Sequence, residues 1–109
     1  MAKKINFKYN DKEYTLEFTR NTISTLERQG FVPQDLLTKP MTMLPTLFRG
    51  SFLAHHPFVK QDVVDEIFSL MKDKQGLLNQ LVEMYNEPIE SLISEPNDDE
   101  KNVVWTATD

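Results

Sequence analysis

The sequence predicts an α+β fold that is mainly α, in which an N-terminal β-hairpin is followed by a bundle of four to five short helices and a flexible acidic C-terminal tail. Apolar residues alternate with polar ones over residues 4–19 and recur with helical spacing from there to residue 93. Acidic residues collect at the C-terminal end: residues 1–82 hold eleven bases and nine acids, whereas residues 83–109 hold one base and eight acids. Because 109 residues suit one domain, we expect a globular domain over residues 1–94, with the hairpin at 4–19 and helices over 21–94, and a tail over 95–109.

The hairpin is predicted by the period-two alternation of its residues. Between its two halves, residues 10–13 are polar, and Asn and Asp tolerate the left-handed geometry of a turn. Two strands alone are marginal in water, so their apolar face is expected to pack on the helices. The apolar positions are Ile5, Phe7, Tyr9, Tyr14, Leu16 and Phe18. The lysines are expected on the opposite face, where they protect a strand edge; they are Lys3, Lys4, Lys8 and Lys12.

The first helix is expected over about residues 21–29. Asn21 is a suitable N-cap, and Gly30 stands at the left-handed C-terminal position that favours glycine. Phe31 then serves as a hydrophobic anchor behind the glycine. A short turn of helix is predicted over residues 33–38, because proline is favoured at a first helical position.

The most apolar helix is expected over residues 41–56, in the centre of the bundle. With Thr42 as N-cap, Pro45 falls in the first turn, where its missing N–H costs little. Gly50 then lies in mid-helix, at a cost of roughly 1 kcal/mol relative to alanine. It indicates either the close approach of a neighbouring element or a simply tolerated glycine.

Pro57 separates this helix from one whose apolar stripe is expected to be mostly buried; the stripe comprises Val59, Val63, Val64, Ile67, Phe68 and Met71. Residues 73–76 are expected to form a loop before a further helix, which Pro88 either ends or restarts. Ile89, Leu92 and Ile93 complete the apolar pattern. Because residues 94–102 contain no apolar side chain, we expect them to be disordered.

The composition argues against an enzyme. The chain has no cysteine, which excludes disulfides, thiol nucleophiles and cysteine-based zinc sites. His55 and His56 are adjacent, so on a helix they point about 100° apart and do not converge on one ion. We interpret them as structural or surface residues, and we expect no catalytic, cofactor-binding or metal-binding residues.

Two segments are candidates for partner binding. Met41 and Met43 lie in an apolar run that is more often core, although methionine also occurs on adaptable binding surfaces. Val103, Val104 and Trp105 follow an acidic linker and have no local apolar neighbours to bury them. Trp105 either docks on its own domain, docks on a partner or stays in solvent; we expect docking, because Trp is a common interface anchor and the segment suits addition to a sheet edge.

Nucleic acids and membranes are not expected partners. The acidic C-terminal part repels phosphate polyanions, and no apolar run approaches the roughly 18 residues of a membrane span. The basic N-terminus is not followed by the apolar core of a signal peptide. We therefore expect a cytoplasmic protein.

Five segments carry a family resemblance. In order, they are EYTLEFTR at 13–20, ERQGF at 27–31, KPMTMLP at 39–45, GSFLAHH at 50–56 and MYNEPIE at 84–90. In sequence and order they resemble small tail assembly chaperones of phages and prophages of Gram-positive bacteria, which are encoded between the major tail protein and the tape measure protein. The resemblance covers nearly the whole chain, including the acidic linker and Trp105, and none of its motifs is catalytic.

The resemblance implies a non-enzymatic protein that binds the tape measure protein during tail formation, with the major tail protein as a second candidate partner. It implies action in the cytoplasm of the bacterial host and absence from the mature virion. Coating an elongated helical protein needs exposed apolar surface and many copies, so self-association is expected. The sequence leaves two alternatives: a small phage or host regulatory adaptor that binds one folded partner through its C-terminal Trp segment, and a metal-dependent enzyme that uses His55 or His56.

Overall fold

The computed structural model describes residues 3–94 and 103–108. Its elements are the strands β1 (Ile5–Tyr9) and β2 (Lys12–Leu16) and the helices α1 (Arg20–Arg28), α2 (Pro40–Gly50), α3 (Gln61–Leu70) and α4 (Lys74–Ile93). A short 3-10 helix, Pro33–Leu36, connects α1 to α2. The predicted hairpin and the short helices after it are confirmed.

The two strands of the hairpin pair antiparallel, with Phe7 opposite Tyr14 and Tyr9 opposite Lys12. The turn consists only of Asn10 and Asp11, whose φ angles of 50° and 64° belong to the two-residue turn that matches the twist of a hairpin. Lys12 lies on the aromatic face, with its Nζ 5.3 Å from the centre of the Tyr14 ring. This corrects the expectation for Lys12: two positions from Tyr14 it must share its face, and its aliphatic stem covers the ring while the ammonium group stays in water.

The aromatic face of the hairpin covers the helices, as predicted. The core contains buried side chains from β2, from the segments between elements and from all four helices; they are Tyr14, Leu16, Phe18, Ile23, Leu26, Phe31, Met43, Leu47, Phe48, Phe52, Val64, Ile67, Leu81, Met84 and Tyr85. The side chains of β1 that face the helices are half-buried at the margin of this core. The predicted burial of the α3 stripe is also confirmed: Val64 and Ile67 are buried, and the others pack partly buried against the core.

The N-cap of α1 is Thr19, which corrects the assignment to Asn21. Thr19 Oγ1 accepts the N–H of Thr22 at 3.2 Å, and Thr22 Oγ1 accepts the N–H of Thr19 at 2.8 Å. This reciprocal pair satisfies two backbone donors at the helix start. The helix begins earlier than expected because the extended chain leaving β2 brings Thr19, with φ of −121° and ψ of 168°, into the N-cap conformation.

The C-terminal end of α1 agrees with the prediction. Gly30 has a φ of 92°, the left-handed region in which glycine carries no steric penalty. The N–H of Phe31 donates to the carbonyl of Leu26 at 3.0 Å, and the N–H of Gly30 donates to that of Glu27 at 3.0 Å. These two bonds close the helix in a Schellman motif, with the buried side chains of Phe31 and Leu26 beside it.

Helix α2 differs from the prediction at both ends. It begins at Pro40, with Lys39 as an N-cap that makes no side-chain hydrogen bond, so Thr42 is not the cap. It ends at Gly50 and not at His56, because the chain beyond Gly50 returns to the hairpin. The carbonyl of Ser51 accepts the N–H of Glu17 at 2.9 Å, and this bond fixes the new chain direction just after the helix.

Of the two explanations left open for Gly50, the structure favours the close approach of a neighbouring element, although Gly50 is the last residue of α2 and not a central one. A β-carbon on Gly50 would lie 2.6 Å from Cδ1 of Leu26 in α1. Real contacts are never that short, so the glycine allows α1 and α2 to pack closely at this point.

Helix α4 is longer than predicted. Residues 74–76 form its first turn and not a loop, with Asp73 as N-cap: its Oδ1 accepts the N–H of Gly76 at 3.1 Å. Pro88 neither ends nor restarts the helix, which continues to Ile93. Proline removes the bond to the Met84 carbonyl, and burial of Met84 and Tyr85 in the core holds the preceding turn in place despite this loss.

Candidate partner-binding surfaces

His55 and His56 follow α2 in the chain. His56 contacts β2, and His55 contacts Glu17, the residue just after β2. His56 Nε2 accepts the backbone N–H of Thr15 at 3.1 Å, and His55 Nε2 lies 2.7 Å from Glu17 Oε1. Burial lowers the pKa of His56, and the positive charges of Lys12 and His55 lower it further. Among residues 3–94 and 103–108, no group of three or more His, Asp or Glu side chains is placed to hold a metal ion.

The lowered pKa of His56 predicts a pH dependence of folding. Burial, with the nearby positive charges of Lys12 and His55, lowers this pKa from 6.5 in the folded state, and a protonated Nε2 could not accept the N–H of Thr15. The unfolded chain therefore binds more protons below pH 6.5, and stability falls as the pH drops from there through the lowered pKa. Denaturation of the wild type and of His56→Gln between about pH 8 and pH 5 tests this. The Gln amide oxygen accepts the same bond without titrating, so identical pH profiles for the two proteins would contradict the prediction.

The two methionines named as candidates lie on different sides of α2. Met41 is 90% exposed, whereas Met43 is 9% exposed and belongs to the core. Two positions along an α-helix differ by about 200°, so one side chain faces solvent when the other faces the bundle. The partner-binding assignment is therefore corrected for Met43, and Met41 is retained as an exposed candidate.

The terminal segment is exposed throughout. Val103, Val104 and Trp105 lie outside any helix or strand, and Trp105 is 80% exposed. In this single chain Trp105 is thus not buried on its own domain. The predicted disorder of 94–102 falls on residues 95–102, which lie outside the described residues; Ser94 is an exposed bend.

An apolar groove lies between α1 and the C-terminal half of α4. It encloses about 280 Å³ and is lined by Arg20, Ile23, Ser24, Glu27, Pro88, Ile89 and Leu92. Leu92 is 63% exposed, and the neighbouring Ile93 is exposed as well. The sequence pattern indicated the apolar positions of α4 but not this groove, because spacing alone does not show whether another element covers a stripe.

Acidic side chains predominate around this groove. Glu27 lines it directly, and Glu87 and Glu90 line an adjoining depression that shares Arg20 and Pro88 with it. Arg20 is the one base among the residues that line the two depressions. Such a surface suits an apolar side chain flanked by basic residues.

No helix within the described part of the chain is both long enough and apolar enough to span a membrane. Compared with known families, residues 1–108 match the model of a family described as a domain of unknown function, DUF5055. That description assigns no activity. No curated protein and no solved structure matches the chain.

Proposed function

The chain belongs to the DUF5055 family, and we propose that it is a non-enzymatic phage tail assembly chaperone that binds the tape measure protein during tail morphogenesis. The five segments that resemble such chaperones support this function. The observation that carries it is the α1–α4 groove, an apolar surface that the described part of the chain leaves open. Action in the host cytoplasm, and absence from the mature virion, belong to the same proposal.

The groove suits an amphipathic helix of the partner. Two helices, α1 and α4, form its walls, and an apolar groove of this kind accepts side chains spaced by three and four residues on a partner helix. The surrounding Glu27, Glu87 and Glu90 favour a helix with Lys or Arg beside its apolar stripe, because charge complementarity steers association. An elongated helical protein such as the tape measure presents a repeated supply of such segments.

Further apolar side chains support binding by several copies. Leu37, Met41 and Phe58 are each at least nine-tenths exposed, and they lie outside the groove lining. Phe and Met are enriched at protein interfaces, so Met41 and Phe58 are candidates for contacts between copies. Self-association of the chain along an extended partner is part of this proposal. The major tail protein is a second candidate for that partner.

The alternative is a regulatory adaptor that binds one folded partner through Trp105. The exposure of Val103, Val104 and Trp105 favours it. The two functions differ in the surface that they require: the chaperone needs the α1–α4 groove, and the adaptor needs the terminal tryptophan.

We expect Leu92→Asp to abolish co-purification of the tape measure protein with the tagged chain from prophage-induced cells. A buried carboxylate in the apolar contact would cost several kcal/mol unless paired. Because Leu92 is mostly exposed, the same substitution should lower the free energy of unfolding by no more than about 1 kcal/mol, the cost of an acidic residue in the last turn of a helix.

Asn79→Asp is the matched control. Asn79 is exposed on the same helix, roughly 140° away from Leu92 around its axis, and the substitution adds the same charge. Partner binding that survives Leu92→Asp but is lost in Trp105→Ala supports the adaptor and contradicts the chaperone. Loss in Asn79→Asp as well would show a general charge effect and would also contradict the groove as the binding site.

A further inference from the structure

The outer edge of β1 has no strand partner in residues 3–94 and 103–108. Thr15, opposite Asn6, donates its N–H to His56 and not to β1. Asn6 and Thr15 therefore form a pair that exchanges no backbone hydrogen bonds. In an antiparallel ladder the two residues of such a non-hydrogen-bonded pair point their N–H and carbonyl groups away from each other. The N–H and carbonyl groups of Asn6, and of Lys8 two positions on, therefore point outward along β1. On the other side of the hairpin, His56 accepts the N–H of Thr15 and Ser51 accepts that of Glu17, so the outer edge of β2 is occupied at its C-terminal end.

The terminal segment has the composition of a strand but no partner. Residues 103–108 read VVWTAT, in which five of six residues are β-branched or aromatic. All six are exposed and lie outside any strand. An unpaired strand-forming segment and an unpaired strand edge are thus present in the same chain.

Charge favours their association and sets its direction. At the start of β1, Lys3 pairs with Glu83 at 2.6 Å and Lys4 lies 3.9 Å from Glu17. At the turn end, Lys8 and Lys12 make no ion pair with another described residue. Residues 95–102 carry four acids and one base. An antiparallel strand at the edge starts beside the turn, where Lys8 and Lys12 lie, so the acidic sequence before Val103 complements the charge of that end of the edge.

We propose that residues 103–108 of one copy add to β1 of a second copy as a third, antiparallel strand. A second copy is the occupant because the segment is exposed on its own chain. Edge lysines ordinarily discourage the addition of a further strand. This segment is an exception because the sequence before Val103 is acidic and therefore complements the charge of the lysines. With Val103 and Trp105 on the aromatic face, the indole covers the half-buried rings of Phe7 and Tyr9. The contact does not depend on the proposed function, since neither the groove nor the tape measure protein takes part.

Sedimentation velocity of the full chain over a concentration series tests the proposal. We expect association that Trp105→Ala weakens at least about tenfold, as loss of an aromatic anchor does. Lys8→Glu with Lys12→Glu should weaken it too, and high salt should reduce the difference between the wild type and that variant. The matched control, Arg28→Glu with Lys72→Glu, makes the same charge change at exposed positions outside the hairpin and should associate like the wild type.

Amide hydrogen exchange locates the contact. The N–H groups of Asn6 and Lys8 should gain protection as the concentration of the full chain rises, and Trp105→Ala should remove that protection. Protection that is independent of concentration would place the segment on its own β1 and overturn the proposal. Association unchanged in Trp105→Ala, or a wild type that stays monomeric with exchanging Asn6 and Lys8, would overturn it as well.

Discussion

Replacing Phe18 with alanine is expected to lower the free energy of unfolding by about 3–5 kcal/mol, the usual cost of removing a buried aromatic ring. Phe18 is 2% exposed, and its ring meets that of Tyr85 edge-on with centroids 5.4 Å apart. The residue lies just after β2 in the chain while Tyr85 belongs to α4, so the contact joins the hairpin to the last helix. The substitution leaves a cavity between these two elements.

Urea denaturation measures this loss, and Phe58→Ala supplies the control. Phe58 is 94% exposed, so removing its ring should change the free energy of unfolding by less than about 0.5 kcal/mol. A loss below about 1 kcal/mol for Phe18→Ala would show that the aromatic face of the hairpin is not part of the core. Equal losses for the two variants would lead to the same conclusion.

Phe52→Ala is expected to have a comparable effect, about 3–5 kcal/mol, for a different structural reason. Phe52 is fully buried just after α2, and its ring lies edge-on to Phe7, Tyr14 and Phe48 at centroid distances of 6.4, 6.0 and 5.2 Å. It therefore connects both strands of the hairpin to α2. Such aromatic pairs contribute beyond the area they bury.

Leu53→Ala, one residue further along, is the control for Phe52→Ala. Leu53 is only half-buried, so its truncation should cost less than about 1.5 kcal/mol by comparison with fully buried leucines. Amide exchange of Tyr14 and Leu16, whose strand pairs with β1, should accelerate in Phe52→Ala. If Leu53→Ala destabilised the protein as much as Phe52→Ala, the central role of the Phe52 ring would be refuted.

The ends of helices show where local signals are insufficient. Asn21 and Thr42 are acceptable caps by residue type, yet Thr19 and Lys39 take those positions. A cap depends on the backbone conformation that the preceding element delivers, which a local motif does not contain. The same holds for α2, whose early end results from the hydrogen bond between Ser51 and the hairpin.

The candidate binding residues divide in the same way. Residue type was enough to single out Met41, and residue type together with isolation in the chain singled out Trp105; both are exposed. They were not enough for Met43, which belongs to the core, or for the groove at Leu92. Exposure of an apolar side chain is a property of its surroundings in space.

The sequence by itself determined the hairpin, the helical character of the chain from there to Ile93, the left-handed Gly30 and the apolar stripe of α3. Each depends on periodicity or backbone sterics, which act between residues a few positions apart. Only the tertiary structure decided that Leu92 is open, although it lies on an apolar stripe of the same kind as that of the buried Ile67. It likewise decided that β2 receives Ser51 and His56 at its outer edge while β1 receives no strand from the described residues. Those outcomes depend on contacts between residues distant in sequence, and helical or strand spacing carries no information about which distant residue arrives.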